Sequence, residues 1–234
     1  MIAMKIADYK KIIDISHIID KDTACFPGDI RFSHEIRVSF ADSNVINLTS
    51  FTMSPHLGTH ADSPVHIKGS LETSTQDHAT DTTAGDMPLE PFIGSCVVLD
   101  LTSDLPNPGA ITREMIEEKA TRAKNEGIKR ILFRTEQKVE REKFKDDYSY
   151  IGQDAATLLG QLGFVLVGLD TPSVDHIRAK DLMTHKILDQ YALSWLENLD
   201  LTNAKPDTTY YLFAPPLKFS QLEASPVRAV LLEF

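Results

Sequence analysis

The second half of the chain alternates helix-like and strand-like segments, and this alternation restricts the possible folds more than any other feature. Residues 112–126 carry an apolar stripe at helical spacing, with a threonine suited to the N-cap and a glycine just past the end. A strand-like segment follows at 130–135, then a helix-like segment at 153–162 and a strand-like one at 164–170. The last of these, FVLVGLD, is apolar on both faces, which is typical of a central strand covered by helices. The pattern therefore predicts an α/β fold.

The first half of the chain is richer in strand-like segments. Runs of Ile, Val, Phe and Thr between turn residues predict strands at 11–16, 32–40, 45–53 and 96–101. Further along, residues 181–191 predict a helix, and the segments TYYLFAPPL and VRAVLLEF predict the last strands. Neither a repeat nor a linker-like tract divides the chain, so we expect residues 1–234 to form a single domain built on a mixed sheet.

The composition argues against several classes of partner. A net charge of −10 and a pI near 5.2 disfavour nucleic acid and anionic membranes, because both attract clustered lysine and arginine. The basic cluster KVEREKFK at 138–145 alternates with glutamate, which is typical of a solvated loop or helix face. Cys25 and Cys96 lie in no CxxC pattern, so we expect two free thiols, with Cys96 in the core. Neither a secretory signal nor a membrane-length apolar run is visible, so we expect a cytoplasmic protein.

The segment HLGTHADSPVH at 56–66 contains three of the eight histidines. A helix through it is disfavoured, because Gly costs about 1 kcal/mol and Pro about 3 kcal/mol inside a helix, and both occur here. In an extended chain, side chains alternate between the two faces. The extended conformation would therefore project the even-numbered ligand-type residues to one side: His56, His60, Asp62 and His66.

These residue types suit a divalent metal ion. We expect Gly58 to leave room for the ion and its water, and Pro64 to bend the chain so that His66 need not be a ligand. Two imidazoles and a carboxylate suit Zn²⁺, Mn²⁺ or Fe²⁺, and a nearby free histidine exchanges protons near neutral pH. A single histidine here would be better explained as a loop residue with ordinary hydrogen bonds, but four ligand-type residues on one face favour a metal site. No GxSxG, P-loop or GxGxxG motif supports a serine hydrolase or a nucleotide-binding protein.

The H-x-G-T-H-x-D-x-P-x-H pattern resembles the motif of the cyclase-like metal-dependent hydrolase family, and within it that of the bacterial kynurenine formamidases (arylformamidases). Segments along nearly the whole chain resemble the family in the same order: IDIS at 13–16, FPGD at 26–29, LFRT at 132–135, GLDTPSVD at 168–175, ENLDL at 197–201 and SPVRAVL at 225–231. The resemblance implies a barrel-like β core flanked by helices, of the swivelling β/β/α type.

The resemblance also implies a set of metal ligands. His56, His60 and Asp62 would bind one divalent ion, and Asp62 would bridge to a second. The remaining ligands would be His185 and Glu197, which stand at the family's spacing of twelve residues. Two ions per subunit would be Zn²⁺, with Mn²⁺ as the alternative.

Further residues of the site follow from the same resemblance. His66 matches the catalytic histidine, which lies beside the ions without being a permanent ligand. Phe26 stands where kynurenine formamidases usually carry a tryptophan that lines the substrate pocket. His176 stands where the family often has proline, and we expect it at the pocket rim or on the surface. The other histidines are expected to have no role in the site: His17, His34 and His78.

The implied function is hydrolysis of N-formyl-L-kynurenine to L-kynurenine and formate. Because Phe26 and His176 depart from the family pattern, a second hypothesis keeps the metal chemistry but changes the substrate to another amide, lactam or ester, as in isatin-hydrolase-like relatives. A third hypothesis, a non-catalytic metal-binding assembly protein, is disfavoured by the complete ligand set beside an intact His66. The expected partners are a small aryl amide and, by resemblance, further copies of the chain in a homodimer or higher homo-oligomer.

Overall fold

The fold is built on a large mixed β-sheet with helices on one of its faces. A computed structural model describes residues 8–69, 71, 82–105 and 108–234. The helices are α1 (Phe40–Ser43), α2 (Arg113–Asn125), α3 (Gln153–Leu162) and α4 (Met183–Gln190). The strands are β1 (Lys11–Asp14), β2 (Ser33–Val38), β3 (Leu48–Thr52), β4 (His60–Asp62), β5 (Ile93–Asp100), β6 (Ala110–Ile111), β7 (Arg130–Arg134), β8 (Tyr150–Ile151), β9 (Leu166–Leu169), β10 (Ser194–Glu197), β11 (Thr208–Phe213), β12 (Ala224–Pro226) and β13 (Val230–Glu233).

Within the described ranges, nine strands form one sheet in the order β1-β13-β11-β5-β7-β9-β10-β4-β12. The central strands β5, β7, β9 and β10 run parallel to their neighbours in that set. The pairs outside this set are antiparallel, from β1 to β5 on one side and from β10 to β12 on the other. The sheet is therefore mixed, as predicted, and β9 lies in its interior with all four residues buried.

The two faces of the central strands are buried in two different cores, as the alternation of side chains along a strand requires. On β5, Val97 and Leu99 face a core that also contains residues of α2, α3 and α4. Cys96 and Val98 face the opposite core, which is formed by strands and loops. The predicted buried position of Cys96 is confirmed, and both cysteines are free thiols.

The second core is closed by the curl of the sheet itself. It brings together Ile13 of β1 and Leu196 of β10, although these strands lie towards opposite ends of the sheet. The chain after β1 also meets the chain after β10 through a bridge between Ser16 and Leu199. The predicted α/β fold with a barrel-like β core flanked by helices is therefore confirmed.

Helices α2, α3 and α4 lie where the periodicity predicts them, whereas two strands near the site were not predicted. β10 follows α4 after a short turn, and its four residues are too few to show a strand period. β12 ends at Pro226, and proline is tolerated there because β12 is an edge strand of the sheet. None of the described helices is both long and apolar enough to span a membrane.

Candidate metal centre

The centre is built on β4, which carries two of the predicted ligands. His60 and Asp62 are two residues apart, so both side chains leave the same face of the strand. Both residues are buried, and His60 Nε2 lies 3.3 Å from Asp62 Oδ1. The prediction that even-numbered residues share a face therefore holds for this pair.

Glu197 reaches the centre through strand pairing. It is the residue opposite His60 in the antiparallel ladder between β10 and β4. Its Oε2 lies 3.3 Å from His60 Nε2, and its Oε1 accepts a hydrogen bond from the backbone N–H of Val174 at 2.8 Å. The register of two neighbouring strands thus brings together residues that are far apart in the sequence.

Helix α4 contributes His185. Its Nε2 lies 3.7 Å from Asp62 Oδ2 and 3.6 Å from Glu197 Oε1. Asp175 positions the helix, because its carboxylate accepts hydrogen bonds from the backbone N–H groups of Thr184 and His185, each at 3.0 Å. These N–H groups lie in the first turn, where a helix has no internal acceptor for them, so a carboxylate from the segment that precedes α4 caps the helix.

His56 reaches the centre by a turn, and the prediction of an extended chain through 56–66 is wrong on this side of β4. The chain turns over residues 55–59, and Gly58 adopts a φ of +70°. His56 Nδ1 nevertheless lies 3.0 Å from Asp62 Oδ1. The prediction that Gly58 leaves room for an ion is also wrong, because a Cβ there would lie 3.0 Å from Cγ1 of Ile19. Glycine is required by the turn and by this close approach.

The three histidines nearest the carboxylates are each held by a second partner on the far side of the ring. These partners are Glu223 Oε1 for His56 Nε2 at 3.4 Å, Gly58 O for His60 Nδ1 at 2.9 Å, and Asp175 Oδ2 for His185 Nδ1 at 2.7 Å. Metal-binding imidazoles usually donate their other N–H group to an acceptor of this kind, which fixes the tautomer and the ring orientation. The remaining ring nitrogens are directed towards Asp62 and Glu197.

The inner atoms of this cluster fit a divalent cation. Among the described residues, buried His60 Nε2 and Asp62 Oδ1 make no hydrogen bond. Two ligands bound tetrahedrally at about 2.0–2.2 Å lie about 3.3–3.6 Å apart, and the imidazole–carboxylate separations here run from 3.0 to 3.9 Å. Two groups of ligand atoms within 4.8 Å of one another share Asp62: His56, Asp62 and His66, and His60, Asp62 and Glu197.

The charges of the cluster favour a bound cation. Burial opposes protonation of His56, yet the Asp62 carboxylate raises its pKa to about 11. Against the same effect of burial, Asp62 raises the pKa of His60 to about 9, and Asp175 raises that of His185 to about 10. Burial would raise the pKa of Asp62, but the imidazoles of His56 and His60 hold it well below its ordinary value. The cluster therefore attracts positive charge, and a divalent ion would replace the imidazole protons.

His66 lies at the edge of the cluster, in a short 3-10 helix over Pro64–His66 that follows β4. Its Nε2 is 3.9 Å from Asp62 Oδ2, and its ring centroid is 4.6 Å from that of His56. The side chain is 28% exposed, and burial lowers its pKa below the ordinary value. His66 is thus both accessible from outside and in contact with the cluster.

The cluster opens into a cavity of about 540 Å³. Phe26, Phe144 and Tyr148 form an aromatic wall, in which the rings of Phe26 and Phe144 meet edge to face at 5.2 Å. Phe26 therefore lies on the cavity wall, where the resemblance placed it. Residues 138–145 form a loop, which is one of the two structures predicted for them from the sequence. Part of this loop lines the cavity, and this was not predicted.

The remaining histidines fall outside the cluster. His176 packs edge-on against Tyr150 at a ring distance of 5.1 Å and is not among the cavity-lining residues of the described chain. His34 lies on exposed β2, whereas His17 lies on the cavity wall, and burial lowers its pKa to about 4. His78 lies outside the described residues.

Three residues that contact the cluster were not predicted from the sequence. Trp195 donates a hydrogen bond from Nε1 to Asp62 Oδ2 at 3.0 Å, and Asp175 and Glu223 hold His185 and His56. Trp195 stands two residues before Glu197, so recognising β10 as a strand would have placed both side chains on one face. Glu223 carries no signal in the sequence that separates it from other acidic residues.

The chain is similar to known proteins over most of its length. The Cyclase family model matches residues 13–176. A kynurenine formamidase of Bordetella avium is 34% identical over 96% of this chain and 99% of its own length, and one of Bacillus anthracis is 33% identical over 94% and 97%. Among solved structures, isatin hydrolase A of Labrenzia aggregata bound to benzyl benzoate has a TM-score of 0.77 at 22% identity, covering 95% of this chain and 93% of that one. A "predicted metal-dependent hydrolase" of Bacillus stearothermophilus has a TM-score of 0.73 at 23% identity, covering 96% and 98%. The chain therefore belongs to the Cyclase family, in which its curated relatives include kynurenine formamidases.

Proposed function

We propose that this protein is a metal-dependent kynurenine formamidase that hydrolyses N-formyl-L-kynurenine to L-kynurenine and formate. The observation that carries the proposal is the convergence of five ligand-type side chains into one mostly buried cluster below an aromatic cavity: His56, His60, Asp62, His185 and Glu197. The full-length similarity to curated kynurenine formamidases supports a hydrolase that acts on a C–N bond other than a peptide bond.

The five side chains of the cluster would hold the metal. Asp62 is suited to bridge two ions, because its Oδ1 faces His56 and His60 while its Oδ2 faces His185. Imidazoles and carboxylates in this number suit Zn²⁺ or Mn²⁺. An ion of this kind polarises a carbonyl oxygen and lowers the pKa of water, which is the activation that amide hydrolysis requires.

His66 would move the proton. Because burial lowers its pKa, the imidazole is neutral near pH 7 and can accept the proton of the attacking water as the water oxygen bonds to the formyl carbon. The same imidazole then returns the proton to the aniline nitrogen as the C–N bond breaks, giving formate and a free aryl amine. Its position between cluster and cavity supports this role. The wall formed by Phe26, Phe144 and Tyr148 would hold the aryl ring.

We also infer a homo-oligomer, formed through the β2–β3 hairpin. Within the described ranges, these two strands pair only with each other, and their faces are exposed, including Ile36 at 62% and Phe51 at 69%. An isolated two-stranded hairpin is marginally stable in water, and contiguous exposed apolar side chains mark interaction surfaces. A second copy of the chain is the partner that the family resemblance implies. A cytoplasmic location stays a prediction from the sequence.

Comparing three substrates tests the assignment. The protein loaded with Zn²⁺ or Mn²⁺ should have a kcat/KM for N-formyl-L-kynurenine at least about a hundredfold above that for isatin or a simple aryl ester, because the site would bind the transition state of formamide cleavage best. Formate and kynurenine should appear in equal amounts. Faster turnover of isatin would instead favour the second hypothesis, a lactam hydrolase, to which the isatin hydrolase likeness lends weaker support because it rests on fold alone.

A further inference from the structure

The rim of the cavity is built by the loop of residues 136–148, here called the rim loop. The loop is tied to the segment before Phe26, because the backbone N–H of Ala24 donates to the carbonyl of Arg141 at 2.7 Å. Phe144 then contacts both Phe26 and Tyr148, at ring distances of 5.2 and 6.4 Å. The rim loop is therefore held in a defined position beside the cluster of candidate metal ligands, and its charged side chains lie at the cavity entrance.

Three basic side chains of the rim loop line the cavity, and two of them are already paired. Arg141 Nη1 contacts both carboxylate oxygens of Asp20 at 3.0 Å. Lys145 Nζ lies 3.2 Å from Glu136 Oε2. Lys143 also lines the cavity, is exposed, and has no carboxylate within 4.0 Å among the described residues. Its charge is thus available to a ligand.

One acidic side chain of the rim loop also lines the cavity without an ion-pair partner among the described residues. Glu140 lines the cavity and, within the part of the chain that the structure describes, makes no ion pair with lysine or arginine. It precedes Lys143 by three residues on the same loop. Among its described residues that line the cavity, the rim loop therefore offers one charge of each sign without an ion-pair partner, beside an aromatic wall. Such a pair matches a ligand that carries a cation and an anion on one carbon.

We propose that Glu140 and Lys143 bind the zwitterionic amino-acid group of the substrate, Lys143 its carboxylate and Glu140 its ammonium. This inference rests on the proposed function and adds to it the two residues that would select the α-amino-acid side chain of the substrate. The formamide would lie at the metal cluster, the ring against Phe26 and Phe144, and the charged group at the rim. Both side chains are exposed, so the ion pairs select substrate chiefly through KM.

Three substrates and two variants test the proposal. The substrates are N-formyl-L-kynurenine, its deamino analogue, which keeps the carboxylate, and ortho-formamidoacetophenone, which carries neither charge. Relative to the uncharged ketone, Lys143→Met should raise KM about fivefold to tenfold for both acids, whereas Glu140→Gln should raise it only for the substrate with the ammonium group. The change in kcat should stay within about twofold, because neither side chain touches the reacting atoms.

Lys138→Met is the matched control, since Lys138 is an exposed lysine of the same loop that is not among the cavity-lining residues of the described chain. It should leave all three KM values unchanged. Equal effects of Lys143→Met on the three substrates, or none, would overturn the proposal while the formamidase function stands. So would a wild-type protein that hydrolyses the uncharged ketone as efficiently as N-formyl-L-kynurenine. Failure of the metal-loaded wild type to hydrolyse any of the three would overturn the proposed function and this inference with it.

Discussion

Asp62 is the most constrained single residue of the centre. Its carboxylate contacts His56, His60 and His185 and accepts the indole N–H of Trp195, so neither oxygen is free to turn. His66 differs, because no outer acceptor fixes its ring in the way that Glu223 and Asp175 fix His56 and His185 among the described residues. The contrast between tightly held ligands and a looser histidine is what a metal site with a separate proton carrier requires.

The first prediction concerns that looser histidine. His66→Ala should lower kcat by about 10²–10⁴-fold, which is the range that positioned general acid–base groups contribute. Metal content should stay at the wild-type level, because the proposed ligands are intact. Elemental analysis and steady-state kinetics on the same sample measure both quantities. Loss of metal in parallel with activity would instead make His66 a ligand, as one of the two groupings around Asp62 allows.

The second prediction concerns Asp170, a buried carboxyl group at the end of β9. Burial raises its pKa to about 7, although the backbone N–H groups of Thr135 and Glu136 donate hydrogen bonds to the carboxylate that favour the ionised form. Because the folded protein holds this proton more tightly than the unfolded chain, its stabilising contribution is full below about pH 4 and is lost as the pH rises through about 7. The free energy of unfolding should therefore fall by about 2 kcal/mol between about pH 5 and pH 8, relative to Asp170→Asn.

Urea unfolding of both proteins in the same buffers measures this difference, since all other titrating groups are shared. A constant difference between wild type and Asp170→Asn across the pH range would contradict the raised pKa of Asp170.

At the scale of elements, the site depends on the turn that precedes β4. Gly58→Ala should cost about 1–2 kcal/mol for the positive φ, and it adds a contact with Ile19 that must be relieved by moving the turn. Since this turn carries His56, and the Gly58 carbonyl holds His60, metal affinity should also fall, by about tenfold or more. A chelator competition assay measures that affinity.

Gly127→Ala is the matched control for the turn, because Gly127 has a φ of +82° and open space around it, at the end of α2. It should lower stability to a similar extent and leave metal affinity unchanged. If both variants reduced metal affinity equally, the turn would have no specific role in the centre.

The β2–β3 hairpin carries a further prediction at this scale. Ile36→Glu combined with Phe51→Glu should shift the protein to monomers, because each change places a charge in the apolar surface proposed for the second copy. Light scattering over a range of concentrations measures the mass of each protein. A wild type that is monomeric at all concentrations, or an oligomer that the double variant leaves intact, would contradict the assignment of this surface.

Sequence patterns predict an element well when one local periodicity decides its structure. This is the case for α2, α3 and β9, whose apolar spacing extends over their whole length. The patterns fail where tertiary context decides: β10 forms because β9 and β4 flank it, and His56 turns back because Gly58 can adopt a positive φ against Ile19. Convergence of His185 and Glu197 on β4 depends on sheet register and helix capping, so it was foreseen only through the family resemblance.

At the scale of the whole molecule, the centre lies where the sheet changes from parallel to antiparallel strand pairing. The parallel strands end at β10, and the antiparallel strand β4 pairs with it, so His60 and Glu197 meet across that boundary while α4 covers it from the helical side. A cluster of three imidazoles and two carboxylates costs stability when its charges are not matched. We therefore expect a bound metal ion to stabilise the folded protein as well as to support its activity.

The most direct test measures metal content and formate release on one sample, for the wild type and for His60→Ala. The purified wild type should bind Zn²⁺ or Mn²⁺ and release formate from N-formyl-L-kynurenine, lose that activity on chelation, and regain it when the metal is restored. His60→Ala should lose most of both together. A wild type that hydrolyses the substrate at full rate after complete removal of metal, or a metal-loaded wild type that releases no formate, would contradict the central claim.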